Sequence, residues 1–188
     1  FLKKAKIIKA VIKTMPNLLE FKPSQKSLDF IQGEDEDDQQ QFYIKLGTVL
    51  HSLFSTIHTK DDVEKALKQL ELDGVLYDEN ISKERIENML RKRLNSDLVS
   101  DWFSDKWKVM NECNLLYIDA EGKVKQDRPD RVLIGENGII VIDFKFGKPK
   151  PEYHNQVRGY MSQIKEMGHP NVKGYLWYVY PNKVEEVK

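Results

Sequence analysis

Residues 131–146 read RVLIGENGIIVIDFKF and predict a β-hairpin. Two runs rich in β-branched residues, 131–134 and 139–146, flank the turn-forming sequence Gly-Glu-Asn-Gly. The second run is apolar almost throughout, with one acid, Asp143, and one base, Lys145, near its end. The hairpin therefore predicts a sheet that carries charged side chains at one end.

The register of this hairpin decides whether Asp130, Asp143 and Lys145 can meet. If residues 136–137 form the turn, Asp130 lies opposite Asp143; if residues 137–138 form it, Asp130 lies opposite Lys145. In both registers the three side chains leave the same face, because side chains alternate along a strand. A three-residue loop would place Asp130 on the other face.

Carboxylates in such an apolar strand need a partner, because an isolated buried charge is very costly. Two carboxylates on one face repel each other, and a divalent cation resolves that repulsion. Oxygen ligands of this kind suit Mg²⁺ or Mn²⁺, which can polarise a phosphoryl oxygen and strengthen water as a nucleophile. Lys145 can orient that water or stabilise charge on the phosphate. The residues thus predict a site for phosphodiester hydrolysis.

A purely structural interpretation of the triplet is also open. Asp143 and Lys145 would form a surface salt bridge, and Asp130 would pair with Arg131 or Arg128. The Asp-x-Lys spacing is not specific enough to decide between the two interpretations.

Four segments, in order, resemble the nuclease motifs of the RecB/AddA group of the PD-(D/E)xK superfamily. They are Gly47-x-x-x-His51, Arg128-Pro-Asp130-Arg-Val, Val141-Ile-Asp143-Phe-Lys145-Phe-Gly, and Gln156-x-x-x-Tyr160. The resemblance covers residues 47–160. It implies an α/β fold with a central mixed sheet flanked by helices and preceded by a helical arm.

The same resemblance implies a role for each matched residue. His51, Asp130, Asp143 and the backbone carbonyl of Phe144 would bind the cation. Lys145 would activate the reaction electrostatically, while Gln156 and Tyr160, one helical turn apart, would position the site or a DNA phosphate. Glu112 aligns with an acidic position often found in the superfamily, and an ordinary strand glutamate is the alternative. Remaining residues of note are expected to be structural: His58 at the surface, and Cys113, Trp102, Trp107 and Trp177 in the core.

Along the chain, helical patterns come first and strand patterns follow. We expect an N-terminal helix and linker in residues 1–40 and a nuclease domain in residues 41–188, with a helical insertion at about 59–105. Helices are predicted at 1–15, at 42–57, from near Asp61 to just before Gly74, from after the N-cap Ser82 to near Asn95, at 97–105 and at 152–167. The predicted strands are 107–118, 131–134, 139–146 and 172–180, and residues 33–41 are predicted to be a linker or loop.

Composition narrows the classes of protein. The chain is 40% hydrophobic and 32% charged, as in soluble globular domains, and no apolar run approaches the roughly 20 residues of a membrane span. One cysteine excludes an internal disulfide and a four-cysteine iron–sulfur or zinc site. With 30 basic and 30 acidic residues, the net charge neither supports nor excludes a nucleic-acid substrate. We expect a cytoplasmic, bacterial-type protein, and Phe1 in place of Met predicts a fragment.

The function predicted is Mg²⁺- or Mn²⁺-dependent hydrolysis of DNA. The resemblance implies an exonuclease module that works with a helicase in break repair and recombination, although the chain has no Gly-x-x-x-x-Gly-Lys-Ser/Thr phosphate loop of its own. Two other functions stay open: a non-catalytic DNA-binding module with a nuclease fold, and a stand-alone endonuclease.

Overall fold

The computed structural model describes residues 37–75, 82–119 and 121–188, and of residues 37–45 the backbone alone. The predicted helix at 1–15 and most of the linker lie outside these residues. The helices are α1 (Asp37–Thr56), α2 (Val63–Leu72), α3 (Lys83–Leu94) and α4 (Pro151–Glu166), with 3₁₀ turns at Lys60–Asp62 and Ser100–Phe103. The strands are β1 (Lys108–Asn111), β2 (Leu115–Ile118), β3 (Val124–Asp127), β4 (Arg131–Gly135), β5 (Gly138–Lys145), β6 (Val172–Tyr178) and β7 (Lys183–Val187).

Five strands form a mixed sheet in the order β1-β4-β5-β6-β7. The pair β5–β6 is parallel and the other neighbours are antiparallel. Helix α4 connects the parallel pair, as a crossover between parallel strands requires. The predicted α/β class, with a central mixed sheet flanked by helices, is confirmed. Among the helices of the described residues, none has the length and apolar character that crossing a bilayer requires.

The helices α1, α2 and α3 cover one face of this sheet. Their apolar side chains pack on Leu133, Ile142 and Phe144, together with Trp177 from β6. Phe54 of α1 lies at the centre of this layer, with its ring 4.8 Å from that of Phe144 and 5.5 Å from that of Trp177. The aromatic contacts fix the distance between α1 and the end of β5.

Helix α4 covers the opposite face, where Val141, Val157 and Leu176 are fully buried. A Cβ atom at Gly174 of β6 would lie only 2.4 Å from Sδ of Met161 and 2.6 Å from Cγ1 of Val157. The glycine therefore lets α4 approach the sheet closely.

Strands β2 and β3, which lie between β1 and β4 in the sequence, form a two-stranded ribbon outside the main sheet. One face of the ribbon exposes Leu116, Ile118 and Val124, which are 59–71% accessible. On the other face Leu115 is buried against α4 and the sheet. The ribbon is thus attached to the fold by its base.

Most of the helical predictions are confirmed. Ser82 caps α3 as predicted, since its side chain accepts a hydrogen bond from the Arg85 N–H at 3.4 Å. The predicted loop at 33–41 is wrong from Asp37 onward, because α1 already includes those residues.

The predicted single strand at 107–118 is also wrong. Glu112 adopts a left-handed backbone conformation, with φ of 49°, which ends β1 and sends β2 into the separate ribbon. Strands β3 and β7 were not predicted, since their sequences VKQD and KVEEV are largely polar. The final predicted strand ends at Tyr178 rather than Tyr180.

Arg131 joins the helical layer to the sheet through a buried guanidinium. It donates to the carbonyls of Ile57 at 2.8 Å, His58 at 2.6 Å and Trp102 at 2.9 Å, and to Oδ1 of Asn111 at 3.0 Å. Burial lowers the pKa of Arg131 to about 9, so the side chain keeps its charge at neutral pH.

We predict that Arg131→Met lowers the free energy of unfolding by at least about 3 kcal/mol, because several buried carbonyls lose their donor. Urea denaturation followed by the fluorescence of the buried Trp102 and Trp177 measures the change. Arg85→Met, at an exposed position of α3, is the control. A loss below about 1 kcal/mol for Arg131→Met would contradict the anchoring role.

Candidate active site

The hairpin β4–β5 has the first of the two predicted registers. Gly135 pairs with Gly138 and Arg131 pairs with Ile142, so Asp130, one residue further, stands opposite Asp143. Asp130 is 2% exposed, and its Oδ2 accepts a hydrogen bond of 2.7 Å from the Phe144 N–H. The carboxylate therefore continues the hairpin beyond the last regular pair, which fixes its position beside β5.

His51 reaches Asp130 from the helical layer. The imidazole Nδ1 lies 3.8 Å from Oδ1 of Asp130, and its ring packs edge-on against Phe146 at 4.8 Å. The side chain is 27% exposed, so one part of it faces solvent. Gly47, one turn earlier on α1, is buried, and its lack of a side chain leaves room beside the imidazole.

Glu112 completes a group of three potential ligands with His51 and Asp130. One ligand atom from each of the three lies within 4.8 Å of the other two. The left-handed backbone of Glu112 turns the chain at the end of β1, and its N–H donates to the Asp130 carbonyl at 2.9 Å. Strained backbone of this kind is common at functional sites.

The chemistry of this group, and the spacing of His51 and Asp130 within it, suit a divalent cation. Two ligands of one Mg²⁺-sized ion, each bound at about 2.1 Å, can be at most about 4.2 Å apart. The 3.8 Å between His51 and Asp130 lies within that limit. Two carboxylates and an imidazole match the ligand preferences of Mn²⁺, and the carboxylates match those of Mg²⁺.

Asp143 and Lys145 form a second, adjoining unit. Their charged atoms are 2.6 Å apart, and the side chains are 0% and 7% exposed. The interpretation of a surface salt bridge therefore does not hold for this pair. Asp143 is not a member of the three-residue group found among the described residues.

Gln156 and Tyr160 extend the second unit along α4. Lys145 Nζ donates to Oε1 of Gln156 at 3.2 Å, and Nε2 of Gln156 donates to the Tyr160 hydroxyl at 2.7 Å. The Tyr153 ring lies 3.9 Å from Lys145 Nζ, which is cation–π distance. Sequence reasoning missed Tyr153, although it stands three residues before Gln156 on the same helix face.

The structure brings together all of the side chains singled out for the site. Phe144 contributes its N–H to Asp130, while the predicted use of its carbonyl as a ligand stays a prediction. Arg131 is engaged by main-chain carbonyls, and Arg128 forms an ion pair with Glu112.

The other residues of note lie at or near the positions predicted for them, although Trp107 and Cys113 are only partly buried. Trp102 and Trp177 are buried, and Trp107 packs half-buried against the same core. His58 is exposed. Cys113 is half-buried beside the α4 layer, and burial raises the pKa of its thiol, which is the reverse of what a nucleophile needs.

Comparison with known proteins identifies the family. The model of the PD-(D/E)XK nuclease superfamily matches residues 26–188, which include every residue of the site. No curated protein matches the chain. The solved structure titled "Crystal structure of SSO0001" is similar at 18% identity, covering 86% of this chain and 72% of that one with a TM-score of 0.33, and a similarity of that size supports no conclusion here. By its sequence match over residues 26–188, the chain belongs to the PD-(D/E)XK nuclease superfamily.

Proposed function

We propose that this domain is a divalent-cation-dependent DNA nuclease, with Mg²⁺ or Mn²⁺ as its cofactor. The observation that carries the proposal is the buried Asp130, shared between His51 and β5, immediately beside the buried Asp143–Lys145 pair. A phosphodiester nuclease needs ligands for a cation and a nearby positive side chain. Superfamily membership supports the same activity.

The cation ligands in this proposal are His51, Asp130, Asp143 and the Phe144 carbonyl, and Glu112 is a further carboxylate ligand. The support for Glu112 is its proximity to His51 and Asp130. A cation bound there would polarise a phosphoryl oxygen and make water a stronger nucleophile.

Lys145 supplies the positive charge beside the reacting phosphate. Its ammonium is held from three directions by Asp143, by the Gln156 amide oxygen and by the Tyr153 ring. Gln156 in turn is oriented by Tyr160. The ammonium is therefore fixed before substrate binds and needs little reorganisation to stabilise charge on the phosphate.

The first prediction concerns cleavage of labelled linear DNA, single-stranded and duplex. We expect cutting with Mg²⁺ or Mn²⁺ and none with EDTA. Asp143→Asn and Lys145→Met should each slow cleavage by about 100-fold or more, because each removes a preorganised charge. The rate of product formation on a denaturing gel measures the effect.

The matched control is Lys83→Met, which removes a lysine from an exposed pair with Glu71. It should cut at the wild-type rate. Circular dichroism and thermal melting establish that all variants are folded. DNA binding without cleavage by the wild type would favour a non-catalytic DNA-binding module, and cutting that survives both site substitutions would refute the assigned site.

The second prediction concerns cation binding by the protein alone. We expect one or two Mn²⁺ ions to bind to each protein chain. Binding should raise the melting temperature of the protein, since a ligand at 100 times its Kd stabilises the folded state by about 2.7 kcal/mol. His51→Ala and Glu112→Gln should each weaken binding by at least about tenfold, because each removes a ligand. Isothermal titration calorimetry measures the affinity.

His169→Ala is the control, because His169 is exposed and lies outside the site. Including Asp143→Asn separates the ligand sets. If Asp143→Asn weakens Mn²⁺ binding and Glu112→Gln does not, the ligands are restricted to the set implied by the resemblance. If neither variant weakens Mn²⁺ binding, neither of these carboxylates is a ligand.

We further propose that the domain serves as the exonuclease module of a helicase-nuclease in DNA break repair and recombination. The support is the resemblance of residues 47–160 to the RecB/AddA group. A phosphate-loop motif of a helicase in the same polypeptide or in a co-purifying protein would be expected. Cleavage of closed circular DNA at the rate of linear DNA would instead favour a stand-alone endonuclease.

A further inference from the structure

Arg128 is an exposed cation at the edge of the candidate site. It follows the last residue of β3 and precedes Pro129 and Asp130. Its guanidinium forms an ion pair with Glu112, and the Arg128 side chain is still 58% exposed. One side of the guanidinium therefore contacts Glu112 of the three-residue group that could bind a cation (the cation group), and the other side faces solvent.

The backbone that carries Arg128 is anchored on both sides. The Asp127 carboxylate accepts a hydrogen bond from Gln163 of α4, and the Asp130 carbonyl accepts the Glu112 N–H at 2.9 Å. Pro129 further restricts Arg128 to extended backbone conformations. The position of the Arg128 Cα atom is therefore fixed, and its guanidinium can occupy only a small region near Asp130.

The other basic side chains of this hairpin are engaged inside the fold. Arg131 is fully buried against main-chain carbonyls, and Lys145 is 6% exposed and paired with Asp143. Lys145 and one bound divalent cation would together balance the carboxylates of Glu112, Asp130 and Asp143, so an approaching DNA phosphate needs a further positive charge. A guanidinium suits this task because two of its N–H donors can bind one phosphate.

The guanidinium of Arg128 can exchange its ion pair with Glu112 for one with a phosphate. Ion pairs with this much exposure contribute little to stability. If Glu112 serves as a cation ligand, its carboxylate shares its charge with the cation and attracts Arg128 less. The guanidinium can then transfer to a phosphate without leaving the site.

We propose that Arg128 binds a backbone phosphate of the nucleic-acid substrate, and that Glu112 holds its guanidinium at the site until the substrate arrives. This inference rests on the proposed function. It assigns substrate contact to a residue that lies outside the cation group and to which the resemblance assigned no role.

The test measures binding of a fluorescein-labelled 20-nucleotide single strand by anisotropy, in EDTA and, in a Lys145→Met background, with Mg²⁺. We expect Arg128→Gln to weaken DNA binding about 3- to 10-fold at low salt and to reduce the slope of log K against log[salt] by about 0.7, the loss of one phosphate contact. Its affinity for Mn²⁺ alone, measured by calorimetry, should stay within twofold of wild type.

Arg91→Gln is a matched control, because Arg91 on α3 is 51% exposed and also pairs with a glutamate, Glu87. It should leave the affinity and the salt slope unchanged. Arg128→Lys keeps the charge but not the paired donors, so it should retain the slope and lose about two- to threefold in affinity. If Arg128→Gln does not fold, Arg128→Lys decides the question by its affinity for DNA, since its slope is expected to stay unchanged.

Each contrary result overturns a different statement. Unchanged DNA affinity in Arg128→Gln and Arg128→Lys would overturn the phosphate contact. Weaker Mn²⁺ binding with unchanged DNA affinity would make Arg128 a positioning residue for Glu112 instead. A wild-type protein that neither binds nor cuts DNA would overturn the proposed function itself, which this set of measurements detects separately.

Discussion

The guanidinium of Arg131 is the interaction on which the arrangement of the site depends. It joins carbonyls at the end of α1 and before β1 to the first residue of β4, and that residue is the neighbour of Asp130. A shift of β4 by one residue would turn Arg131 to the other face and leave those carbonyls without a donor. The register that pairs Arg131 with Ile142, and hence places Asp130 opposite Asp143, is therefore set from the helical layer as well as from the turn.

The site is assembled where the two helical layers meet the end of the sheet. His51 comes from α1 on one side, while Gln156 and Tyr153 come from α4 on the other. Each layer supplies one kind of chemistry: the first contributes a possible ligand for a cation, and the second holds a positive side chain. Between the layers, Asp130, the residue before β4, stands opposite Asp143 of β5, so the spacing between the two units is set by the pairing of these strands.

Much of this could be predicted from the sequence because the decisive residues lie close together in the chain. The hairpin turn limited Asp130 and Asp143 to two registers on a shared face, and the helical spacing of Gln156 and Tyr160 placed them on one side of α4. The contribution of Glu112 was harder to predict, since it depends on a left-handed residue that interrupts a strand-like pattern. Propensity could not identify β3 or β7 either, because these short polar strands owe their structure to pairing with their neighbours.

The ribbon β2–β3 leaves the fold directly after Glu112 and returns directly before Asp130, while only its base is packed against the core. Its outer residues, among them Ile118 and Val124, contribute nothing to the two hydrophobic layers. Insertions or deletions at its tip would therefore leave the core unchanged, as expected for exposed loop tips. Such changes would alter the surface next to Glu112 and Asp130, so the ribbon is a part of the described fold in which related chains can vary the surroundings of the candidate site without rebuilding the site itself.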